Sequence, residues 1–191
     1  MSIVLASTSP YRKILLDKLG LDFSCESPDI EEYSLLNETA QQMAERLAIQ
    51  KARAVASRHQ NSLVIGSDQA ACFANQIIGK PKTHENAVRQ LLQFSGKTVI
   101  FYTGLCVINS QTMKQRSMID SVEVTFRDLS IEQIDKYLKA EQPYDCAGSF
   151  KCEGLGISLF TSLHGKDPNT LVGLPLIDLC DLLDEFGRPV L

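Results

Sequence analysis

The chain has 191 residues, 44% of them hydrophobic and 22% charged, with a formal net charge of −4, the make-up of an ordinary globular protein with enough length for a substantial core. An acidic chain argues against a nucleic-acid partner, which selects for a basic face. The absence of any run of about 18 apolar residues argues against a membrane span. Six cysteines without a C-x-x-C pair and three scattered histidines lack zinc-site spacing, and no charged-then-apolar leader is seen. A reducing cytoplasm is therefore the expected compartment.

In chain order, Ile3 to Ala6 reads as a buried strand. Ser9 then caps a helix whose first position is Pro10, where a missing N–H costs nothing. Ile14, Leu15 and Leu19 give that helix an apolar face, and Gly20 stops it. Phe23 to Asp29 is extended or irregular and runs into the acidic stretch Asp29 to Glu32. Thr39 with Gln42 forms a capping box for a helix to about Arg58, with Met43, Leu47, Ala48, Ala52 and Val55 inward. Leu63 to Gly66 is a second buried strand, followed by Ser67-Asp68-Gln69, an apolar stretch to Phe73, a turn at Asn75 and a return through Ile77-Ile78. Thr83 caps a helix through Gln93 with Ala87, Val88, Leu91 and Leu92 inward. Thr98 to Ile108 is a long strand, turned at Asn109 to Gln111 into a partner that extends to Phe126. Ser130 and Gln133 cap a helix to about Ala140, broken at Gln142-Pro143. Leu155 to Phe160 is strand-like, and Pro175 opens a last helix closed by Gly187. Strands mixed with helices predict a single α/β domain over 1–191, and the hairpin near 109 makes its sheet mixed.

Several polar groups sit where chemistry is usually done. Ser7, Ser9 and Arg12 surround a helix start, where free N–H groups and a guanidinium fork suit a phosphate; the same pattern also reads as a cap and a solvated arginine. Asp68, placed by this reading at the end of a buried strand, stands where α/β sheets bind ligands and can serve a metal or activate a water; an Asx turn is the other reading. Lys80 in Gly79-Lys80-Pro81 offers a point charge for a polyphosphate or is a surface turn. Lys51 lies on a helix, where most lysines are solvated. Glu31 and Glu32 are candidate oxygen ligands for a magnesium-like ion or a solvated acidic pair. Gly96-Lys97-Thr98 is not a phosphate loop, because position 91 is leucine where that motif needs glycine. Ala147 to Gly154 and Asp167 to Pro175 are each a binding loop or a plain connection. Together these groups suit metal-assisted cleavage of a phosphoanhydride.

The order A-S-T-S-P-Y-R at the start, E-E at 31–32, G-S-D-Q at 66–69, G-K-P at 79–81, F-Y-T-G at 101–104, A-G-S-F-K-C-E-G at 147–154 and D-P-N-T-L-V-G-L-P-L at 167–176 resembles the Maf family of nucleotide pyrophosphatases across nearly the whole chain. The resemblance implies an ITPase-like α/β fold: an elongated, mixed, twisted sheet flanked by helices, with a cleft between two lobes, often as a homodimer. It implies a cytoplasmic house-cleaning enzyme that cleaves nucleoside triphosphates to monophosphate and pyrophosphate with a divalent cation, Mg²⁺ or Mn²⁺. Ser7, Ser9, Arg12, Lys51 and Lys80 would contact phosphates; Glu32 and Asp68 would serve the metal, with Asp68 as proton acceptor. G-S-D-Q and F-K-C-E-G are similar to the branch acting on 7-methyl-GTP, in which Tyr11, Gln69 and Glu153 would set base preference. Tyrosine stands at 11 where that branch places tryptophan. N7 methylation makes guanine cationic, which an aromatic face attracts, and the Glu153 carboxylate would accept the N1 and N2 protons. The alternatives are the branch acting on dTTP and UTP, and a nucleotide-binding regulator without turnover.

Overall fold

The hydroxyl caps lie where the helices begin. In the computed structural model, which describes residues 1–191, Ser9 Oγ accepts the Arg12 N–H at the head of α1 (Pro10–Asp17). Thr39 and Gln42 form a reciprocal capping box on α2 (Ala40–Ala56). Thr83 caps α3 (His84–Phe94), and Ser130 with Gln133 caps α4 (Ile131–Glu141). These bonds satisfy N–H groups that the helix cannot pair internally. Pro175 precedes α5 (Leu176–Glu185).

The strands are β1 (Ser2–Leu5), β2 (Phe23–Cys25), β3 (Ser62–Phe73), β4 (Gln76–Ile78), β5 (Thr98–Asn109), β6 (Gln115–Phe126) and β7 (Phe160–Gly165). They form one seven-stranded sheet in the order β2-β1-β3-β5-β6-β7, with β4 beside β3. β1 is parallel to β2 and β3, and every other pairing is antiparallel. The mixed α/β expectation is met.

Three sequence expectations are corrected. Leu155 to Leu159 is a 3₁₀ turn, and the strand begins only at Phe160; the run Leu-Gly-Ile-Ser-Leu mimics strand alternation, but the backbone folds back so closely at Gly156 that a Cβ there would lie 2.2 Å from the Lys151 carbonyl oxygen. Ile14 and Leu92 are exposed, and their helices bury Leu15 with Leu16 and Leu91 with Phe94 instead. Most consequential, β3 does not end near Asp68. It continues unbroken for 12 residues, with Asp68 paired to Gly104 in its middle.

That long strand is bordered differently on its two edges. One edge pairs with β5 from Leu63 to Cys72. The other pairs with β1 over Ser62 to Ile65 and with β4 over Ala71 to Phe73, so Gly66 to Ala70 has no strand beside it there. β1 ends at Leu5 and the chain turns away into α1. Asp68 therefore does lie beyond a strand end, but the strand is β1, its neighbour.

Helix α2 packs on one face of the sheet, chiefly over β3 and β5. Its small side chains Ala48, Ala52 and Ala56 pack with Val4, Val64 and Ile108. The approach is close: a Cβ at Gly66 would stand 2.3 Å from the Ala48 carbonyl oxygen, and one at Gly104 2.2 Å from that of Ala44. Only glycine fits at either position. The opposite face carries two larger apolar clusters, one joining α1 and α5 to Ile3, Leu5 and Ile65, the other joining α3 and α4 to an aromatic group that includes Phe101, Phe126 and Phe150.

Candidate functional site

The unpaired edge of β3 opens into a cavity of about 600 Å³. Its walls come from the β1–α1 turn (Ser7 to Ser9, with Arg12), the irregular loop after β2 (Glu32), α2 (Met43, Leu47, Lys51), β3 (Asp68 to Ala70) and the segment after β4 (Gly79, Lys80, Lys82).

At the centre, Lys51 is almost fully buried, at 4% exposure, as is Asp68 at 6%. The Lys51 Nζ donates to Asp68 Oδ1 at 2.5 Å and stands 2.6 Å from Glu32 Oε1. Lys51 is thus no solvated helix lysine; Gly66 and Gly104 let α2 lie low enough for its ammonium to reach the sheet. Two carboxylates on one cation are driven apart in acidity. Burial pushes the Asp68 carboxyl up from its ordinary value, against the opposing pull of Lys51 and Arg12. At Glu32 burial also pushes upward, but the Lys51 hydrogen bond and the charges of Lys51, Lys80 and Arg12 outweigh it, and the carboxyl ends below its ordinary value. Such a split distinguishes a proton acceptor from a carboxylate that stays charged.

The β1–α1 turn supplies the opposite side. Ser7 Oγ accepts the Ser9 N–H at 3.1 Å and Ser9 Oγ accepts the Arg12 N–H at 3.4 Å, so both hydroxyl protons remain free to donate. Capping and anion binding are compatible here. Arg12 spends only Nε on the protein, donating to the Gly173 carbonyl at 2.9 Å; Nη1 and Nη2 have no protein partner. The same carbonyl accepts from the buried Ser67 hydroxyl at 2.9 Å. Gly173 adopts φ +116°, and a Cβ there would lie 3.3 Å from Arg12 Nε, which explains the glycine. The loop that presents it is fixed by Asp167, whose carboxylate accepts N–H groups from Asn169 and Ile177 at 2.7 Å each.

Gln69 also lines the cavity, but its side chain is already engaged. Nε2 donates at 3.0 Å to Thr103 Oγ1 and to the carbonyls of Thr170 and Leu171, leaving Oε1 as the free polar atom. Lys80 is at the rim. Tyr11, on the first turn of α1, and Glu153, exposed beside Cys152, do not line the cavity. The structure therefore brings together Ser7, Ser9, Arg12 and Glu32 with Lys51, Asp68, Gln69 and Lys80, and leaves Tyr11 and Glu153 outside. Sequence reading missed three participants in this geometry. Lys82 lines the same cavity and pairs with Asp145 at 2.9 Å; its K-P-K spacing with Lys80 was the available signal. Gly173 holds Arg12 from 161 residues away and is itself bonded by Ser67 from 106 residues away, and no local pattern announces that.

No cluster of three or more His, Cys, Asp or Glu side chains is present to hold a metal by protein ligands alone. No helix is long and apolar enough to cross a membrane.

The family model described as Maf-like protein matches residues 2–186. The 7-methyl-GTP pyrophosphatase of Colwellia psychrerythraea is 54% identical over 190 residues, covering 100% of this chain and 95% of that protein. The 7-methyl-GTP pyrophosphatases of Nitrosococcus oceani, 54% identical over 100% of this chain and 96% of that one, and of Vibrio vulnificus, 54% identical over 99% and 97%, are similar to the same degree. Among solved structures, the Ham1 protein of Staphylococcus aureus overlays with a TM-score of 0.48 at 20% identity, over 67% of this chain and 73% of that one.

Proposed function

The chain belongs to the family of Maf-like proteins, and from that membership we propose that it hydrolyses 7-methyl-GTP to 7-methyl-GMP and pyrophosphate. The reading is carried by one observation together with the names of its relatives. The ion cluster of Lys51, Asp68 and Glu32 faces Arg12 across a single cavity, and proteins 54% identical over essentially the full chain bear that activity's name.

The chemistry follows from the side chains. A triphosphate enters with its oxygens toward Arg12 Nη1 and Nη2, the free hydroxyl protons of Ser7 and Ser9, and the ammonium groups of Lys51 and Lys80. Asp68, the carboxylate held at raised basicity, takes a proton from a water. That oxygen bonds to the α-phosphorus as the bond to the bridging oxygen breaks, and pyrophosphate departs with its charge met by the surrounding cations. Glu32, held ionised, keeps Lys51 in place.

A divalent cation fits this pair of acids. Glu32 and Asp68 already converge on one nitrogen, and a magnesium-type ion binds through one or two carboxylates plus substrate phosphates, keeping waters for the rest. When bound it supplies charge neutralisation and a more acidic water.

For the base, Gln69 offers Oε1 as an acceptor to a guanine N–H. The assignments of Tyr11 to the cationic ring and Glu153 to the N1 and N2 protons rest on the family resemblance.

The test is pyrophosphate release from 7-methyl-GTP, GTP, dTTP and UTP with Mg²⁺ or Mn²⁺, run beside Asp68→Asn. The expected result is highest kcat/KM on 7-methyl-GTP and a loss of about a hundredfold or more in the variant, with its melting temperature maintained. Faster turnover of dTTP or UTP would move the chain to the other branch, and wild-type rates in Asp68→Asn would remove Asp68 from the mechanism.

A further inference from the structure

Glu32 reaches the site from a segment with almost no structure of its own. Between β2 and α2 the chain forms no helix or strand, and residues 31 to 37 are all exposed. Tyr33 and Leu35 present large apolar surface there, and Leu36 is 93% exposed. Apolar burial therefore does not hold this strap down. From residue 30 to residue 38 two side-chain attachments tie it to the body. One is the Glu32–Lys51 pair. The other is Arg46, one turn and a half further toward the N-terminus of α2.

Arg46 uses its whole guanidinium for this. Nε and Nη2 grip the Glu38 carboxylate at 2.6 and 2.7 Å in a two-pronged pair. Nη2 also donates to the Tyr33 carbonyl at 2.9 Å, and Nη1 donates to Gln50 Oε1 at 3.1 Å, which braces the side chain from its own helix. The Glu38 side chain is only 7% exposed, and its second oxygen also accepts the Leu35 N–H at 3.0 Å, so the carboxylate staples the far limb of the strap to itself and to α2. Tyr33 is the residue after Glu32. A fork–fork ion pair that is partly buried and shared with a backbone carbonyl fixes geometry in a way an isolated surface pair does not.

The geometry points to Arg46 as a positioning residue: by holding the Tyr33 carbonyl and Glu38, it sets the Glu32 carboxylate against Lys51 beside Asp68. Arg46 does not line the cavity and acts only through Glu32. This rests on the functional reading above for its effect on turnover, but not for its effect on the strap.

The experiment is a double-mutant cycle of Arg46→Ala with Glu32→Gln, with Arg46→Lys as the conservative variant, and limited chymotrypsin digestion, for which Tyr33, Leu35 and Leu36 are the strap's cleavage sites. Arg46→Ala is expected to lower kcat/KM by about ten- to hundredfold, as loss of a supporting partner does. In the Glu32→Gln background the same change should cost less than about twofold, because residues in one chain of contacts are not additive. Arg46→Lys, which keeps the charge but loses the fork, should fall between. Cleavage in the strap should accelerate in Arg46→Ala while the melting temperature of the body changes little. An equal loss in both backgrounds, or unchanged strap cleavage, would overturn the assignment. A wild-type chain that releases pyrophosphate from no nucleotide would instead sink the functional reading, and the cleavage comparison would still decide whether Arg46 holds the strap.

Discussion

Replacing Lys51 with methionine keeps the length of the side chain and removes the one cation that lies between two carboxylates. The Nζ is 2.5 Å from Asp68 Oδ1 and 2.6 Å from Glu32 Oε1. At an effective dielectric of about 20, a pair this close attracts by roughly 6 to 7 kcal/mol. Arg12 continues to favour the Asp68 anion and water can enter the cavity, so the Asp68 pKa should rise further, but by less than that full attraction. Asp68 already sits above its ordinary value through burial, so the acid limb of kcat/KM should lie above the ordinary carboxylate range in the wild type and move to higher pH in Lys51→Met. Stability should move with it. Breaking a buried pair costs about 3–5 kcal/mol when a charge is left uncompensated. With its folded pKa above its unfolded one, Asp68 binds a proton more tightly in the native state, so stability is lost as pH rises from the unfolded value through the folded one. The deficit of the variant should therefore be largest near pH 8 and shrink toward pH 5. Pyrophosphate release across that range and thermal melts at both ends measure the two effects. An acid limb that stays in place, together with a melting deficit independent of pH, would refute the electrostatic role given to Lys51.

Three further outcomes are expected. Gly104→Ala forces a Cβ to within 2.2 Å of the Ala44 carbonyl oxygen; it should cost about 1–3 kcal/mol in denaturant unfolding and lower turnover as α2 lifts Lys51 from Asp68. Gly173→Ala puts a side chain at φ +116° and crowds Arg12 Nε, so KM for the nucleotide should rise severalfold, with kcat less affected. Glu153→Ala should reduce the ratio of kcat/KM on 7-methyl-GTP to that on GTP; an unchanged ratio would reject the base-reading role of that carboxylate.

What the sequence made legible were features fixed by a few neighbouring residues. Ser9, Thr39, Thr83 and Ser130 mark helix starts because a hydroxyl and an N–H three residues on are a local arrangement. The hairpin between β5 and β6 and the stop at Gln142-Pro143 are local too. The continuity of β3 was not legible: Gly66-Ser67-Asp68-Gln69 has little strand preference of its own and is extended because β5 pairs with it, a case of tertiary context deciding β structure. The site residues were nameable by type and motif order, but their states were not. Nothing local marks Lys51 as buried, because the close approach of α2 depends on two glycines in different strands. Nothing near Gln69 shows that its amide nitrogen is occupied by the loop at 170–171, a hundred residues away.

The two walls of the cavity are unequal in what they tolerate. On the α2 side, Ala44 and Ala48 meet bare glycine backbone at contact distance, so any added bulk moves a helix and the Lys51 ammonium with it. On the other side, β4 joins β3 through three residue pairs only, and Ile77, Ile78 and Lys80 extend from that short arm. Redesign toward bulkier or differently shaped nucleotides has its room in the arm. Substitutions at Ile77 and Ile78 change the shape of that wall while Lys51, Asp68 and Lys80 keep their identity.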